Sequence, residues 1–151
     1  MVMDANDSSR LTVKRREVEI IQKDGRILVC FARGILPESL PRLARECRFN
    51  ATELCARIGV SERNLRRIFE NGLGMGAKEW LRQERMVAAR NLLREGSPIK
   101  EVAVHLGFAN YKNLNREFVT FHEVTASEFQ RRERAMQKEA ELRRMARFGG
   151  G

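Results

Sequence analysis

The spacing of apolar residues separates a short β-rich start from a long helical remainder. Residues 17–21 and 26–31 are rich in β-branched and other apolar side chains, and Asp24-Gly25 lies between them. Because both turn residues tolerate positive φ, the pair predicts a β-hairpin. Two strands alone are marginally stable, so we expect the hairpin to pack on the rest of the chain or on a partner.

From Leu36 onward, apolar residues recur at intervals of three and four, which predicts helices as far as about Arg134. Four residues indicate helix starts. Asn50 and Thr125 are each followed three residues later by Glu, Ser61 is a further N-cap, and Ser97 is a cap before Pro98. The predicted helices cover about 38–47, 50–59, 61–71, 77–94, 98–106 and 110–121, and a last one runs from 125 into the charged tail.

An internal repeat relates the two halves of the helical region. Four residues of the first half recur 48 positions later, and four others recur 49 positions later. They are Leu54, Cys55, Ile58 and Gly59, which recur as Val102, Ala103, Leu106 and Gly107, and Leu65, Arg67, Phe69 and Trp80, which recur as Leu114, Arg116, Phe118 and Phe129. Each copy has a small residue four positions before a glycine, a short turn and a second helix. This spacing is typical of a helix-turn-helix, in which the small residue permits close helix contact and the glycine a left-handed turn.

The residues of this repeat resemble a known family. The stretches GVSERNLRRIFENGLGMGAKEWLRQERMVAARNLL, SPIKEVAVHLGFANYKNLNREF and TASEFQRR are similar to the DNA-binding domain of AraC/XylS-type bacterial transcription regulators, over about Leu36–Arg132. The resemblance implies two helix-turn-helix subdomains bridged by a long helix, each with a recognition helix for the DNA major groove. The turns after the recognition helices depart from the family's usual Gly and Pro, with Gly76-Ala77 in the first copy and 123–126 in the second, and His122 stands where an aromatic residue is common.

The predicted fold is therefore mainly α, with two helix-turn-helix subdomains joined by a long linker helix and a short N-terminal β-hairpin. We place an N-terminal extension at 1–35, the double helix-turn-helix domain at 36–134 and a charged tail at 135–151. The linker helix would be about 27 Å long, against about 34 Å between successive major-groove faces, so the two recognition helices are expected to reach adjacent grooves.

Each recognition helix needs one face for the core and one for bases. The core face of the first holds Leu65, Ile68 and Phe69, and that of the second holds Leu114, Phe118 and Phe121. By resemblance, the base-facing residues are Arg63, Arg66 and Arg67 in the first helix, and the groove-facing candidates in the second are Tyr111, Lys112, Asn115 and Arg116. Arginine suits guanine, Asn115 suits adenine and Tyr111 suits the thymine methyl group. Thr52, Arg57 and Lys100 are candidates for phosphate contact.

Each of these residues also has an ordinary interpretation as part of a solvated helix face. For Arg67 and Arg116, a salt bridge to a neighbouring carboxylate is a further structural alternative.

Charge narrows the choice of partner. The chain of 151 residues has 29 Lys and Arg against 20 Asp and Glu, a formal net charge of +9. Counted by segment, the excess is +2 in 1–35, +5 in 36–134 and +2 in 135–151, so it is not confined to a tail. A basic surface favours nucleic acid first and an acidic membrane second, and the repeat sets the membrane aside.

Several function classes are excluded by composition. The longest apolar run, Ile27–Ala32, is too short for a transmembrane helix or a secretory segment, which favours the cytoplasm. Three cysteines without a C-x-x-C pair argue against a disulfide scaffold and a zinc site. With two histidines, no Gly-rich phosphate loop and no triad order, we expect no enzyme, metal, cofactor or small-molecule ligand.

We therefore predict a sequence-specific, double-stranded-DNA-binding transcription regulator of the cytoplasm, associated with the nucleoid. RNA polymerase is a second expected partner, and the hairpin could serve self-association or docking of a separate sensor domain. The chain would be either a short stand-alone regulator or the last part of a longer one. The alternative is a protein-interaction module that uses the hairpin or the tail residues Met136, Leu142, Met145 and Phe148, with the helices as scaffold.

Overall fold

Helices dominate the structure, a computed structural model that describes residues 18–32 and 34–149. Within those residues it has seven helices and one three-stranded antiparallel sheet, which confirms the predicted mainly α fold. The helices are α1 Leu40–Glu46, α2 Ala51–Ile58, α3 Glu62–Leu73, α4 Ala77–Arg94, α5 Ile99–His105, α6 Tyr111–His122 and α7 Ala126–Gly149. The chain forms two compact units that divide between Glu84 and Arg85, inside α4.

The predicted hairpin is present, although Glu17, the first residue predicted for it, lies outside the described residues. Strand β1 (Glu19–Lys23) pairs with β2 (Arg26–Cys30), and both turn residues between them have positive φ, 52° at Asp24 and 72° at Gly25. A third strand, β3 (Glu38–Ser39), pairs with the other edge of β2 and was not predicted.

The predicted start of α1 and the predicted cap of α5 are wrong. Helix α1 begins at Leu40 rather than Glu38, because Glu38 and Ser39 pair with β2 and the Ser39 hydroxyl caps the helix by accepting from the Arg42 N–H. Helix α5 begins at Ile99 without a side-chain cap. The Ser97 N–H instead donates to the Leu92 carbonyl and helps to close the C-terminal end of α4, beyond the left-handed Gly96.

The hairpin packs within the chain, as part of the first unit. Ile20 and Val29 face each other across β1 and β2, and both are buried in the same core as Leu40, Leu54 and Phe69. The apolar face that a two-stranded ribbon would otherwise expose is therefore covered by helices of the same unit.

Gly72 in the last turns of α3 is where β1 meets that helix. A Cβ atom built on Gly72 would lie 2.5 Å from the Ile20 carbonyl oxygen and 2.7 Å from the Ile20 Cβ. The Gln22 side chain also donates to the Gly72 carbonyl at 3.4 Å. Since no side chain larger than hydrogen fits here without a shift, glycine is what allows β1 to lie directly on α3.

The second unit has its own core, built on the side chains of Met86, Leu93, Val102, Leu114 and Phe118. One polar side chain is buried with them. The Gln130 amide, 7% exposed, donates to the carbonyl oxygens of Leu93 at 3.2 Å and Ser97 at 2.7 Å. It thereby satisfies two acceptors around the turn between α4 and α5.

Helix α7 continues into the tail, as predicted. All side chains described from Arg134 to Gly149 are exposed, including the apolar residues Met136, Leu142, Met145 and Phe148. None of the helices in the described residues is long and apolar enough to cross a membrane.

The contact at Gly72 predicts a stability effect. We expect Gly72→Ala to lower the free energy of unfolding by about 1–2 kcal/mol, because overpacking against the β1 backbone outweighs the helix propensity gained by alanine. Urea unfolding followed by circular dichroism measures it. The matched control is Gly149→Ala, a helical glycine with no neighbour within 4 Å. If Gly72→Ala were as stable as the unchanged protein, or more stable, the packing of β1 on α3 described above would be contradicted.

Candidate nucleic-acid interface

Each unit contains a helix-turn-helix of the predicted design. In the first unit α2 is followed by Gly59 and α3, and in the second α5 is followed by Gly107 and α6. Both glycines have positive φ, 82° and 77° respectively. The small residues Cys55 and Ala103 are buried. Burial is also the main cause that raises the pKa of the Cys55 thiol, which therefore remains protonated and apolar in character.

The repeat extends beyond the second helix of each motif. After α3, Gly74 takes a left-handed conformation (φ 68°), and 49 residues later Glu123 takes the same one after α6 (φ 63°). The first turns of α4 and α7 then pack an aromatic ring against each recognition helix. The ring centroids of Phe69 and Trp80 lie 5.6 Å apart, and those of Phe118 and Phe129 lie 5.5 Å apart. Despite the departures from the family's usual turn residues, the residue that ends each recognition helix is thus left-handed in both copies.

Helix α3 buries Leu65, Ile68 and Phe69 and exposes the three predicted base-facing arginines. Arg66 donates from Nε to Glu70 Oε1 at 3.2 Å. Arg67 donates from Nη2 to Asn64 Oδ1 at 2.7 Å. The expected salt-bridge alternative for Arg67 is thus replaced by a neutral amide partner, which leaves the arginine charge uncompensated by that contact.

Helix α6 buries Leu114 and Phe118 and exposes Tyr111, Lys112 and Arg116. Asn115 is half-buried instead, and its Oδ1 accepts from the Ala126 N–H at 3.2 Å, at the first residue of α7. A bidentate adenine contact needs both Oδ1 and Nδ2 of asparagine. The predicted role of Asn115 in reading adenine therefore competes with its role at the start of α7.

The three phosphate candidates have different surroundings. Thr52 donates from its hydroxyl to Glu62 Oε1 at 3.3 Å. Arg57 Nη2 lies 3.7 Å from Glu38 Oε2 and 3.9 Å from Glu46 Oε2, an arrangement that ties it to β3 and α1. Lys100 is exposed on α5. Lys100 is thus the candidate whose ammonium has the most freedom to meet a phosphate.

A polar cluster that sequence reasoning missed supports the second helix-turn-helix. The Arg85 Nε donates to the Leu106 carbonyl at 2.9 Å, and its guanidinium lies 3.5 Å from the centroid of the Phe108 ring. Its Nη1 is 3.9 Å from Glu117 Oε2 on α6. Burial lowers the pKa of Arg85, and Glu117 partly offsets that shift. The cluster connects α4, the turn between α5 and α6, and α6 itself. No periodic pattern in the sequence predicts it.

A family model described as a helix-turn-helix domain matches residues 54–132, about half of the chain, and spans both motifs and the linker helix. The chain belongs to the AraC-type helix-turn-helix family. None of the curated proteins is significantly similar to it in sequence.

Solved AraC-type domains share the fold. The DNA-binding domain of the global transcriptional factor AdpA, determined in complex with a target DNA, is 26% identical, with a TM-score of 0.56 over 64% of this chain and 90% of that one. An AraC-type regulator from Chromobacterium violaceum is 21% identical, with a TM-score of 0.54 over 61% and 86%. The C-terminal domain of the response regulator yesN from Fusobacterium nucleatum is 20% identical, with a TM-score of 0.53 over 59% and 91%.

The Arg85 cluster predicts a stability effect in this AraC-type fold. We expect Arg85→Met to lower the free energy of unfolding by about 2–3 kcal/mol, because the Leu106 carbonyl loses a charged donor and the Phe108 ring loses a cation. Urea unfolding measures it. The control is Arg143→Met, which removes an exposed pair with Glu139 and should cost less than about 0.5 kcal/mol. Equal effects of the two variants would contradict a structural role for Arg85.

Proposed function

We propose that this protein is a sequence-specific transcription regulator that binds double-stranded DNA by inserting α3 and α6 into adjacent major grooves. The observation that carries the proposal is the matched pair of helix-turn-helix motifs, each with one helix face buried and the other exposed and basic. Membership of the AraC-type family and the likeness to a domain solved on its target DNA support it. The protein would act in the cytoplasm, at the nucleoid.

Base reading in the first groove is assigned to the arginines of α3. A guanidinium can donate two parallel hydrogen bonds to guanine O6 and N7, a pattern that no other base pair offers in the major groove. Arg63 and Arg67 are the stronger candidates, because Arg66 shares its charge with the Glu70 carboxylate. To contact a base, Arg66 would have to break its ion pair with Glu70. That pair is exposed and therefore weak, so Arg66 stays a candidate.

Base reading in the second groove is assigned to Tyr111, Lys112 and Arg116 of α6. Lys112 and Arg116 supply cations for guanine or for the backbone, and the Tyr111 ring can contact a thymine methyl group. Asn115 is proposed to hold the start of α7 through the Ala126 N–H. It would then contribute to DNA binding mainly by fixing the turn behind α6.

Sequence-independent affinity would come from cations around the two motifs. Lys100 is the leading phosphate contact, whereas Thr52 and Arg57 must give up intramolecular partners to reach DNA.

RNA polymerase, and self-association or a sensor domain docked through the sheet, remain proposed partners. The buried face of the hairpin is occupied by its own unit, so such docking would use the outer face or an edge.

Partner-protein binding through the tail is the second candidate function, favoured by one observation. Leu142, Met145 and Phe148 are exposed at intervals of three along α7, which places them on neighbouring parts of the helix surface. This function would leave duplex binding weak and association with a protein insensitive to salt.

The proposed function predicts that duplex affinity depends steeply on salt. It also predicts that base-reading variants lose sequence discrimination, whereas phosphate-contact variants lose only affinity. We expect duplex affinity to fall by orders of magnitude between about 50 and 200 mM salt, since several phosphate contacts release counterions. Arg67→Ala or Arg116→Ala should reduce discrimination between the preferred duplex and single-base variants by about 5- to 150-fold. Fluorescence anisotropy with labelled duplexes measures both quantities.

Lys100→Ala is the matched control, since a lost phosphate contact weakens binding to all duplexes alike. If both arginine variants retain the discrimination of the unchanged protein, the base-reading proposal is wrong. Salt-insensitive association with a protein, without duplex binding, would support the second candidate.

A further inference from the structure

Asn64 lies beside the base-reading face of α3 without belonging to it. Its backbone N–H donates to the Ser61 cap at 3.2 Å, so Asn64 sits in the first turn of the helix. Its side chain is half-buried and lines a cleft of about 380 Å³ between α3 and β1, together with Arg67 and Asn71 of α3 and Glu19 of β1. From there Oδ1 accepts from Arg67 Nη2 at 2.7 Å.

This hydrogen bond restrains an otherwise mobile side chain. An exposed arginine has many rotamers, and ordering it on binding DNA opposes association. Arginine has five N–H donors, and a contact with one asparagine oxygen uses one of them. The remaining donors still include a pair for bidentate contact with guanine, so the restraint and base reading are compatible.

The neutral partner distinguishes this contact from the one made by Arg66. Arg66 pairs with the Glu70 carboxylate, and its side chain is 80% exposed. A carboxylate partly offsets the arginine charge and repels nearby phosphates, whereas an amide oxygen orients Arg67 without offsetting its charge. The same pair of residue types, Asn-x-x-Arg, recurs 49 positions later as Asn113 and Arg116 in α6.

We propose that Asn64 is a positioning residue that holds the Arg67 guanidinium in place for reading one base pair. The proposal rests on the proposed function, because it assumes that Arg67 contacts a base. It adds a residue that would set specificity without touching DNA. A role of this kind predicts an effect on discrimination that disappears when Arg67 is absent.

A double-mutant cycle tests the proposal. The discrimination ratio between the preferred duplex and duplexes changed at one base pair is measured for the unchanged protein, Asn64→Ala, Arg67→Ala and the double variant. We expect Asn64→Ala to lower the ratio by about 2- to 10-fold at the base pair affected by Arg67→Ala. The double variant should match Arg67→Ala alone, since the two residues act as one unit.

Two further variants separate positioning from general disturbance. Asn71→Ala removes an asparagine from the same cleft and should retain full discrimination. Asn64→Asp keeps the acceptor oxygen but gives Arg67 a carboxylate partner, as Glu70 does for Arg66, so it should weaken all duplexes and still retain more discrimination than Arg67→Ala. It also keeps the proposal testable if Asn64→Ala does not fold.

The outcomes distinguish the two proposals. If Arg67→Ala lowers discrimination and Asn64→Ala does not, or if their effects simply add, the positioning role is wrong and base reading by Arg67 stands. If Arg67→Ala itself leaves discrimination unchanged, base reading by Arg67 is wrong.

Discussion

The burial of one face of each recognition helix is the constraint on which the rest of the structure depends. In α3 the buried face packs Phe69 against Trp80, and in α6 it packs Phe118 against Phe129. Burial of a large aromatic side chain contributes about 1.5–3 kcal/mol, and ring pairing adds to it. Because these faces are committed to the cores, the opposite faces with their cations are held toward solvent in both units.

The two units meet this constraint with different means. In the first unit β1 lies on Gly72 of α3, and in the second the equivalent position, 49 residues later, is Phe121. The turn after α3 uses Gly74, whereas the turn after α6 holds Glu123 in the same left-handed conformation, at a cost of about 1–2 kcal/mol for a residue with a Cβ atom. The second unit adds Arg85 and Gln130, whose side chains donate hydrogen bonds to backbone carbonyl oxygens at the turns. The equivalent outer faces of α3 and α6 are thus held in place by different contacts in the two units.

Much of this fold could be predicted because its signals are local and periodic. The apolar spacing located all seven helices, the Asp24-Gly25 turn located the hairpin, and the repeat located both motifs. Strand β3 was missed because two residues carry no periodicity, and Ser97 was wrongly predicted as the cap of α5 because its N–H bonds to the end of the preceding helix.

The polar contacts around the site were beyond such reasoning. Arg85 joins groups 21 or more residues apart, and Gly72 meets Ile20 across a distance of 52 residues, so neither contact leaves a short-range pattern. The outward residues of α3 and α6 followed from the helix period, but their partners did not. Asn64 and Glu70 are as polar as the arginines they bind, and only the structure shows that Arg67 binds an amide while Arg66 pairs with a carboxylate.

The central claim is that two matched surfaces read one duplex together. Selection of bound sequences from a random duplex pool with the unchanged protein tests it most directly. We predict two conserved half-sites whose centres lie about one helical turn, 10–10.5 base pairs, apart. A single conserved half-site, or two at freely varying separation, would contradict the claim.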